Sequence, residues 1–457
     1  MTIDRDRIRE LRAREDARLI AERPRSRALL ERARRSMPDG VPMSWMVSAY
    51  HHAPMFVAEA DGAYFTDVDG HRYLDMNLAD TSMACGFTPQ PVVEAVAAQM
   101  RRGSQFLLPT EDAIAVAEEL ARRFGLPRWQ FTLAASSANT EVLRIARAAT
   151  GRETILLFDG KYHGMLDETL FILVDGEPRP EGLGLPKEAA ARTRIVQFND
   201  LAAAEAALSE GDVACVVVEP ALTNVGGLIS PEPDFHAGLR ALTRRFGSLL
   251  ILDEVHTHVC AFGGLTRAWG LEPDIVVLGK ALGGGVPIGA YGMAEELARF
   301  MEGTAGSEGE AADWTVRFAM RVATGGTMFA NALSLAAAHA TLEHVLTEEG
   351  HARTAALGER LADGIEAAIR RHGLSWSAYR LYCRSGYCFA PKLPRNNLEA
   401  QAVADIPLTN LMRVYMANHG VWEAVEGEGP AVSFAATPAD IDLYLDVFER
   451  CLAELVD

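Results

Sequence analysis

Residues 249 to 255 read Leu-Leu-Ile-Leu-Asp-Glu-Val, and residues 275 to 285 read Ile-Val-Val-Leu-Gly-Lys-Ala-Leu-Gly-Gly-Gly. Each stretch contains a short apolar run that ends at an ionisable residue, Asp253 in the first and Lys280 in the second. Apolar runs with little alternation are typical of parallel strands that are covered on both faces. Both stretches therefore predict buried strands with a charged side chain at the carboxyl end.

Two further runs have the same form, Ile155–Phe158 before Asp159 and Val213–Val218 before Glu219. This pattern predicts an α/β fold with a mainly parallel sheet and right-handed crossovers. Functional residues of such sheets cluster at the carboxyl ends of the strands, so the four ionisable residues form one candidate site. Helical stretches accompany the runs at Ala113–Phe124 and Phe235–Phe246.

The chain is predicted to form two domains. Residues 66–334 are expected to build a large domain around the sheet, while residues 1–65 and 335–457 pair into a smaller α+β domain. The charged segment from Arg5 to Arg35 predicts a solvated helix, and the run Ala332–Leu346 predicts a long one. Two further strands are predicted at Leu381–Phe389 and Val432–Phe434. A mobile loop, acidic and rich in glycine, is predicted at Glu302–Asp313.

Composition excludes several classes of partner. The chain has 44 Lys and Arg against 62 Asp and Glu, a net charge of −18, whereas a nucleic-acid-binding protein needs basic residues to neutralise phosphates. No apolar run reaches the ~18 residues that a spanning helix needs. The acids within the first 35 residues argue against a transit peptide. The six cysteines form no CxxC pair, so we expect a cytoplasmic protein without a membrane or nucleic-acid partner.

Lys280 and Asp253 are the strongest chemical candidates. A lysine flanked by apolar residues and a glycine run allows close approach of a ligand, and a desolvated lysine can form a Schiff base. Asp253 is suited to pair with a protonated ring nitrogen while Val255 packs on the ring, as the electron sink pyridoxal 5′-phosphate (PLP) requires. The sequence lacks the GxxxxGK[ST] pattern of a phosphate-loop lysine.

The two stretches together resemble the class-III aminotransferases of PLP fold type I, near glutamate-1-semialdehyde aminomutase and the β-phenylalanine and D-phenylglycine aminotransferases. The resemblance runs from about residue 30 to the end of the sequence. It implies the fold type I architecture and PLP as cofactor. Further matching motifs lie at Asp67–Asp75, Phe158–Gly164, Val218–Pro220 and Gly325–Phe329.

The resemblance also implies the roles of individual residues. Lys280 would hold PLP through a Schiff base and move the proton, and Asp253 would pair with the pyridine nitrogen. Val255 and Tyr162 would enclose the ring. Glu219 and Thr327 complete the implied contacts, Glu219 near the phenolic side of the cofactor and Thr327 on the phosphate held by the partner subunit. The active unit would therefore be a homodimer with shared active sites.

The sequence departs from the family at the phosphate loop. The family reads Asn-Ser-Gly-Thr-Glu-Ala where residues 133–138 read Leu-Ala-Ala-Ser-Ser-Ala. Since N–H groups at a helix N-terminus bind anions, we still expect Ala135, Ser136 and Ser137 to hold the phosphate. Leu222 replaces a family glutamine, which removes one polar contact near the cofactor.

The substrate side departs further. Trp45 stands where relatives that act on amino acids carry an arginine, and residues 422–429, including Glu426, contain acids and no arginine. Trp and Glu cannot replace an arginine fork on a carboxylate. The hypothesis is therefore an amine, ketone or aldehyde substrate without the usual carboxylate, packed near Trp45 and Tyr50. The open alternative is that another arginine, such as Arg384, binds a carboxylate.

Three functions remain open from the sequence. The first is a PLP-dependent aminotransferase acting on small amines or amino acids and keto or aldehyde partners. The second is an aminomutase or epimerase on the same scaffold, with the Glu302–Asp313 loop as a lid. The third is a catalytically silent binding protein with the same fold. Metal binding is not expected, because the histidine pairs 51/52 and 256/258 lack the three or four ligands of a metal site.

Overall fold

The computed structural model describes residues 3–48, 52–225, 227–302, 321–423 and 429–456. Within them, the largest sheet has seven strands in the spatial order β4-β14-β13-β12-β9-β5-β8. All of its strands run parallel except β14, which is antiparallel to both neighbours. The seven strands in chain order are β4 (Arg128–Thr132), β5 (Thr154–Phe158), β8 (Thr193–Val196), β9 (Val213–Val218), β12 (Leu249–Asp253), β13 (Ile275–Leu278) and β14 (Gly289–Met293). The predicted mainly parallel α/β architecture is confirmed.

This sheet is covered on both faces. Leu156 and Phe158 of β5 pack into one apolar cluster, whereas Ile155 and Leu157 pack into another. Successive side chains of a strand point to opposite faces, so the two clusters lie on opposite sides of the sheet. This double burial explains why the strands appear as continuous apolar runs in the sequence.

Helices surround the sheet and join the strands. The predicted helices at Phe235–Phe246 and from Ala332 are confirmed. The helices are α1 (Arg5–Glu22), α2 (Pro24–Ala33), α3 (Trp45–Ser48), α4 (Gln90–Arg102), α5 (Glu111–Phe124), α6 (Ala135–Thr150), α7 (Lys187–Ala190), α8 (Leu201–Ser209), α9 (Phe235–Phe246), α10 (Gly264–Ala268), α11 (Glu295–Ala298), α12 (Ala332–His344), α13 (Glu348–Arg371), α14 (Asn397–Val403), α15 (Ile406–Asn418) and α16 (Pro438–Val456), with 3-10 turns at Pro38–Gly40, Asp167–Thr169 and Lys280–Gly283.

The two ends of the chain meet in a second sheet of order β1-β2-β3-β17. Strand β17, from the C-terminal part, pairs in parallel with β3 from the N-terminal part. The domain boundary predicted between residues 65 and 66 falls inside β2, and this sheet continues to Asp75. The strands outside the large sheet are β1 (Val57–Asp61), β2 (Tyr64–Asp67), β3 (Arg72–Asp75), β6 (Phe171–Val174), β7 (Glu177–Pro180), β10 (Leu222–Val225), β11 (Gly227–Ile229), β15 (Ser377–Tyr379), β16 (Gly386–Cys388) and β17 (Val421–Trp422).

Three local predictions are corrected. The helix expected over Arg5 to Arg35 is interrupted at Arg23, because Pro24 cannot donate the next helical hydrogen bond and begins a new helix. Only Gly386–Cys388 of the segment 381–389 is a strand, since a turn closed by the N–H of Arg384 on Leu381 precedes it. Residues 432–434 are not a strand.

The segment 432–434 is nevertheless buried and hydrogen-bonded. The N–H of Val432 donates to Cys383 and that of Phe434 donates to Ala84. Because these two carbonyl partners belong to different segments, the backbone N–H groups are hydrogen-bonded without the regular pairing of a β-strand. Apart from Glu302, the predicted Glu302–Asp313 loop lies outside the described residues. In the described part of the chain, no helix has the length and apolar character needed to cross a membrane.

Candidate active site

Asp253 lies at the carboxyl end of β12 with its carboxylate held on both oxygens. His163 Nδ1 and Asn139 Nδ2 donate to its Oδ2 at 2.8 and 3.0 Å, and the Val255 N–H donates to its Oδ1 at 3.1 Å. Asn139 also donates to the His163 carbonyl at 2.9 Å. All three side chains that share Oδ2 are buried. The carboxylate is therefore fixed in orientation before any ligand arrives.

Lys280 follows the neighbouring strand β13, which pairs with β12. It begins a 3-10 turn with a φ of 47°. Its side chain is 16% exposed, and its Nζ lies 2.5 Å from Asp80 Oδ2 and in contact with His256 Nε2. Gly279 permits this arrangement, because a Cβ there would stand 2.9 Å from the Cβ of Ala135. The lysine amine is thus presented at the sheet edge that also carries Asp253.

Asp80 reaches the lysine through an unusual turn. Leu78, Ala79, Asp80 and Thr81 have consecutive φ values of 57°, 47°, 57° and 61°, all in the left-handed region. Asp75 supports the turn by accepting the N–H groups of residues 77 and 78 at 2.9 and 2.8 Å. Left-handed conformations cost free energy for residues other than glycine, and such strain is concentrated at functional sites.

His256 is a buried neutral base beside Lys280. Arg384 Nη1 lies 2.7 Å from its Nδ1, and Thr223 Oγ1 lies at 3.1 Å. A guanidinium only donates, so Nδ1 accepts from Arg384, while Nε2 lies against Lys280 Nζ and 3.5 Å from Asp80 Oδ1. Burial, Lys280 and Arg384 hold the pKa of His256 well below its usual value, which keeps the ring neutral.

The N-terminus of α6 forms an anion cradle next to Lys280. The first hydrogen bond of α6 runs from the N–H of Ala138 to Ala134, so the preceding N–H groups of Ala135, Ser136 and Ser137 have no partner within the helix. The backbone approaches closely here, since a Cβ on Gly164 would stand 2.8 Å from Ser136 Cα. N–H groups in this position bind phosphate.

The remaining predicted residues occupy different positions. Tyr162 meets Trp45 edge to face, with ring centroids 5.1 Å apart, and burial followed by the charge of Asp80 raises the pKa of the Tyr162 phenol to about 12. Val255 is buried directly beyond Asp253. Thr327 is exposed, and its carbonyl accepts from Gln105 Nε2 at 2.6 Å. Tyr50 and Glu426 lie outside the described residues.

Glu219 follows β9 on the same edge of the sheet. Its Oε1 accepts the N–H of Tyr162 at 3.2 Å, and Asn224 Nδ2 lies 3.4 Å from both carboxylate oxygens. Burial raises the pKa of Glu219 to about 7, while the nearby His163 opposes this shift. Asn224 is a contact that the sequence analysis did not identify, although the polar pair Thr223 and Asn224, five residues or fewer after Glu219, is a signal that could have pointed to it.

The raised pKa of Glu219 predicts a pH-dependent stability. The unfolded carboxyl ionises near 4.5, whereas the buried one keeps its proton to about pH 7. The free energy of unfolding of the PLP-free protein therefore falls as pH rises between these values. We expect Glu219→Gln to stabilise this protein by about 2–3 kcal/mol at pH 8 and by little at pH 4.5. Urea titrations at both pH values measure the difference, with exposed Glu210→Gln as the control. Parallel stability curves for wild type and Glu219→Gln would contradict it.

The chemistry of the residues in the site suits PLP. Two buried polar atoms beside Asp253, His163 Nε2 and Asn139 Oδ1, have no hydrogen-bond partner among the described residues. A lysine amine, a carboxylate held in place and a helix N-terminus therefore converge at the carboxyl edge of one sheet. The amine suits the aldehyde of PLP, the carboxylate suits its ring nitrogen, and the helix N-terminus suits its phosphate.

A mainly parallel sheet with this site defines a PLP-dependent transferase. More narrowly, residues 46–375 match the family model described as aminotransferase class-III, so the chain belongs to the class-III aminotransferases and is an enzyme that uses PLP. The family, fold and cofactor predicted from the sequence are confirmed.

Individual relatives are similar over nearly the whole chain. A glutamate-1-semialdehyde 2,1-aminomutase from Chloroflexus aggregans is 34% identical over 420 residues, 88% of this chain and 91% of that protein. The structure of a lysine-to-alanine variant of a glutamate-1-semialdehyde aminomutase from Pseudomonas aeruginosa in complex with PMP has a TM-score of 0.92 and 37% identity, covering 100% of both chains. A β-phenylalanine aminotransferase from Variovorax paradoxus has a TM-score of 0.86 and 26% identity over 97% of each chain.

Proposed function

We propose that this enzyme is an aminotransferase that moves an amino group between an amine and a keto acid, ketone or aldehyde. The observation that carries the proposal is the placement of Asp253 and Lys280 at the carboxyl ends of two neighbouring parallel strands. Asp253 is in register with Val277, three residues before Lys280. One planar cofactor can therefore contact both side chains at once.

Each proposed residue has a defined task. When bound, PLP withdraws electrons from the carbon next to the substrate nitrogen and so makes a proton on that carbon removable. Lys280 Nζ holds PLP and moves the proton at that carbon. The Asp253 carboxylate would accept a hydrogen bond from the protonated ring nitrogen, and His163 and Asn139 orient Asp253. Tyr162 and Val255 would enclose the ring, Glu219 would face its phenolic side, and the N–H groups of Ala135, Ser136 and Ser137 would bind the phosphate.

The amino donor is proposed to lack the usual carboxylate. Trp45 lies against Tyr162, where it offers an apolar, half-exposed ring and no cation. Arg384 is 3% exposed and its Nη1 donates to His256 at 2.7 Å. The Arg384 guanidinium is therefore buried and hydrogen-bonded to a protein side chain, and it is not displayed for bidentate binding of a substrate carboxylate.

Matched substrate pairs test this function. Benzylamine and phenylglycine differ by an α-carboxylate, and 1-phenylethylamine and β-phenylalanine differ by a β-carboxylate. With pyruvate as acceptor, we expect the amines to be turned over with release of the aldehyde or ketone and formation of alanine. A strong preference for the carboxylated member of both pairs would contradict the proposed substrate class.

An aminomutase is the second candidate, and it is favoured by the similarity to two glutamate-1-semialdehyde aminomutases. An aminomutase keeps both partners bound and moves the amino group within one molecule. Incubation with an amino aldehyde would then yield an isomer without any keto product. The same assay with pyruvate therefore separates the two activities.

We also propose a cytoplasmic homodimer with shared active sites. The six cysteines are all free and buried, which suits a reducing compartment. Leu107 and Leu108 are 74% and 72% exposed, and Gln105 just before them bonds the Thr327 backbone. Exposed apolar residues grouped in this way mark interaction surfaces. A second copy on this surface would bring Thr327 to the partner subunit's cofactor.

Mixing two defective variants tests the shared site. We expect Thr327→Ala to weaken PLP binding about tenfold, because a hydroxyl bond to a phosphate is lost. In a heterodimer of Thr327→Ala and Lys280→Ala, one site combines both defects and the other has neither. Randomly reassociated subunits should therefore recover about a quarter of wild-type sites at limiting PLP. Activity no higher than the average of the two separate variants would contradict a shared site.

A further inference from the structure

Thr327 lies on a short segment, residues 323–327, which we call the strap. We propose that Glu141 is a positioning residue: from helix α6 it holds the strap so that Thr327 reaches the phosphate of the partner subunit's cofactor. The inference rests on the proposed homodimer with shared active sites, and it names the side chain that sets the shared contact.

Glu141 is buried on α6 and binds the strap directly. The residue is 4% exposed, its Oε1 accepts the N–H of Gly325, and its Oε2 accepts the hydroxyl of Tyr291 at 2.8 Å. Tyr291 is fully buried in β14, so the carboxylate is anchored to the large sheet. Breaking either bond would leave a buried polar group without its partner, which costs free energy. Glu141 therefore fixes the position of Gly325 relative to the sheet.

Arg144 attaches the strap to the same helix a second time. Its Nη1 donates to the carbonyl of Ala323 at 2.9 Å. Residues three apart lie on the same face of a helix, so Glu141 and Arg144 approach the strap together. One accepts an N–H and the other donates to a carbonyl two residues earlier. Helix α6 thus holds both kinds of backbone group in the first half of the strap.

The second half of the strap leads to Thr327. Gly325 has a φ of 95°, in the left-handed region that glycine adopts readily, and the carbonyl of Thr327 accepts from Gln105 Nε2 at 2.6 Å. In the described structure the strap belongs to no helix or strand, and Thr327 is exposed. Side-chain bonds to the strap backbone therefore decide where the Thr327 hydroxyl stands.

Helix α6 would accordingly serve two cofactors. The N–H groups at its N-terminus face the phosphate site of its own subunit, and Glu141, two turns further on, holds the strap for the partner's site. Removing the Glu141 side chain leaves the backbone of the N-terminal turn in place, where the N–H of Ala138 bonds Ala134. The loss should therefore appear in the partner's site.

A double-mutant cycle on PLP binding tests whether Glu141 acts through Thr327. Equilibrium dialysis gives the PLP dissociation constants of wild type, Glu141→Ala, Thr327→Ala and the double variant. We expect Glu141→Ala to weaken binding by up to about tenfold, which is the loss expected of Thr327→Ala. The double variant should bind PLP no more weakly than Thr327→Ala. Glu141→Gln keeps an acceptor for Gly325 and should bind PLP like wild type. Losses that multiply in the double variant would overturn the inference.

Hybrid dimers show in which site the loss appears. Glu141→Ala subunits are reassociated at random with an equal amount of Lys280→Ala subunits, and borohydride then fixes PLP only at sites that contain Lys280. In a heterodimer, the site that contains Lys280 receives its strap from the subunit with an intact Glu141. About half of the Lys280-containing sites should therefore bind PLP with wild-type affinity. Weakened binding in all of these sites would show that Glu141 acts on its own subunit and would overturn the inference.

Two arginines of α6 provide a second variant and a control. Arg144→Ala removes the other tether from an exposed side chain, so it tests the strap even if Glu141→Ala fails to fold. We expect a loss of about threefold in PLP affinity that disappears in the Thr327→Ala background. Arg147 bonds the Glu153 carbonyl and Glu168 instead of the strap, so Arg147→Ala should leave PLP binding unchanged.

Failure of the shared site and failure of the inference give different results. An unchanged PLP affinity in Thr327→Ala would overturn the shared site and the inference with it. A loss in Thr327→Ala that neither Glu141→Ala nor Arg144→Ala shares would overturn the inference alone. PLP binding and borohydride fixation require no turnover, so both results stand whichever amine the enzyme uses.

Discussion

Lys280→Ala is expected to lower the rate of amino-group transfer by at least ~10³-fold, because this one side chain is proposed both to hold the cofactor and to move the proton. The variant should still fold and bind PLP, since Asp253 and the N-terminus of α6 are unchanged. Stopped-flow absorbance with benzylamine measures the rate. Borohydride should fix PLP covalently to wild type and not to the variant.

The control for this substitution is Lys187→Ala. Lys187 is exposed and lies in α7, a helix that carries none of the proposed site residues. It should match wild type in both measurements. Added methylamine should restore part of the lost rate by supplying a base in place of the side chain. Covalent fixation of PLP to Lys280→Ala, or a rate within tenfold of wild type, would contradict the assignment.

Asp253→Asn is expected to lower the transfer rate by about 10² to 10³-fold, because a neutral amide cannot stabilise the charge of a protonated ring nitrogen. The amide is close in size to the carboxylate, so packing is preserved. The amide has one acceptor oxygen instead of two, whereas in the wild type His163 Nδ1 and Asn139 Nδ2 both donate to Oδ2 and the Val255 N–H donates to Oδ1. Half-reaction rates and the absorbance of bound PLP measure the effect.

Asp159→Asn is the matched control for this variant. Asp159 also follows a buried strand of the sheet, but its carboxylate bonds Leu173, Gln197 and Asn397. We expect this control to alter stability and to leave the half-reaction within a few-fold of wild type. Equal losses in both variants would show that the effect is structural and that Asp253 has no special relation to the cofactor.

The sequence predicted the part of the site that follows from strand ends. Asp253, Lys280 and Glu219 each follow a buried apolar run, so one rule about parallel sheets places them together. The strands predicted at Val213–Val218 and Ile275–Leu278 have the predicted bounds. Periodicity and burial are local properties of the sequence, which is why these elements could be predicted.

The contacts around Lys280 could not be predicted in the same way. Asp80 depends on a left-handed turn whose residues, Leu-Ala-Asp-Thr, contain no glycine to signal it. Arg384 meets His256 only because the turn at 381–384 packs against the loop after β12. His163 and Asn139 converge on Asp253 from segments far apart in the sequence. Such contacts arise from tertiary packing between distant segments, so local sequence patterns do not predict them.

The most direct test of the central claim is the visible absorption spectrum of the purified protein with PLP, before and after benzylamine is added. The account predicts a band of protein-bound PLP that disappears on addition of the amine and returns when pyruvate is supplied. The absence of a band, or a band that no amine changes, would contradict the proposal that Lys280 and Asp253 form the working site of an aminotransferase.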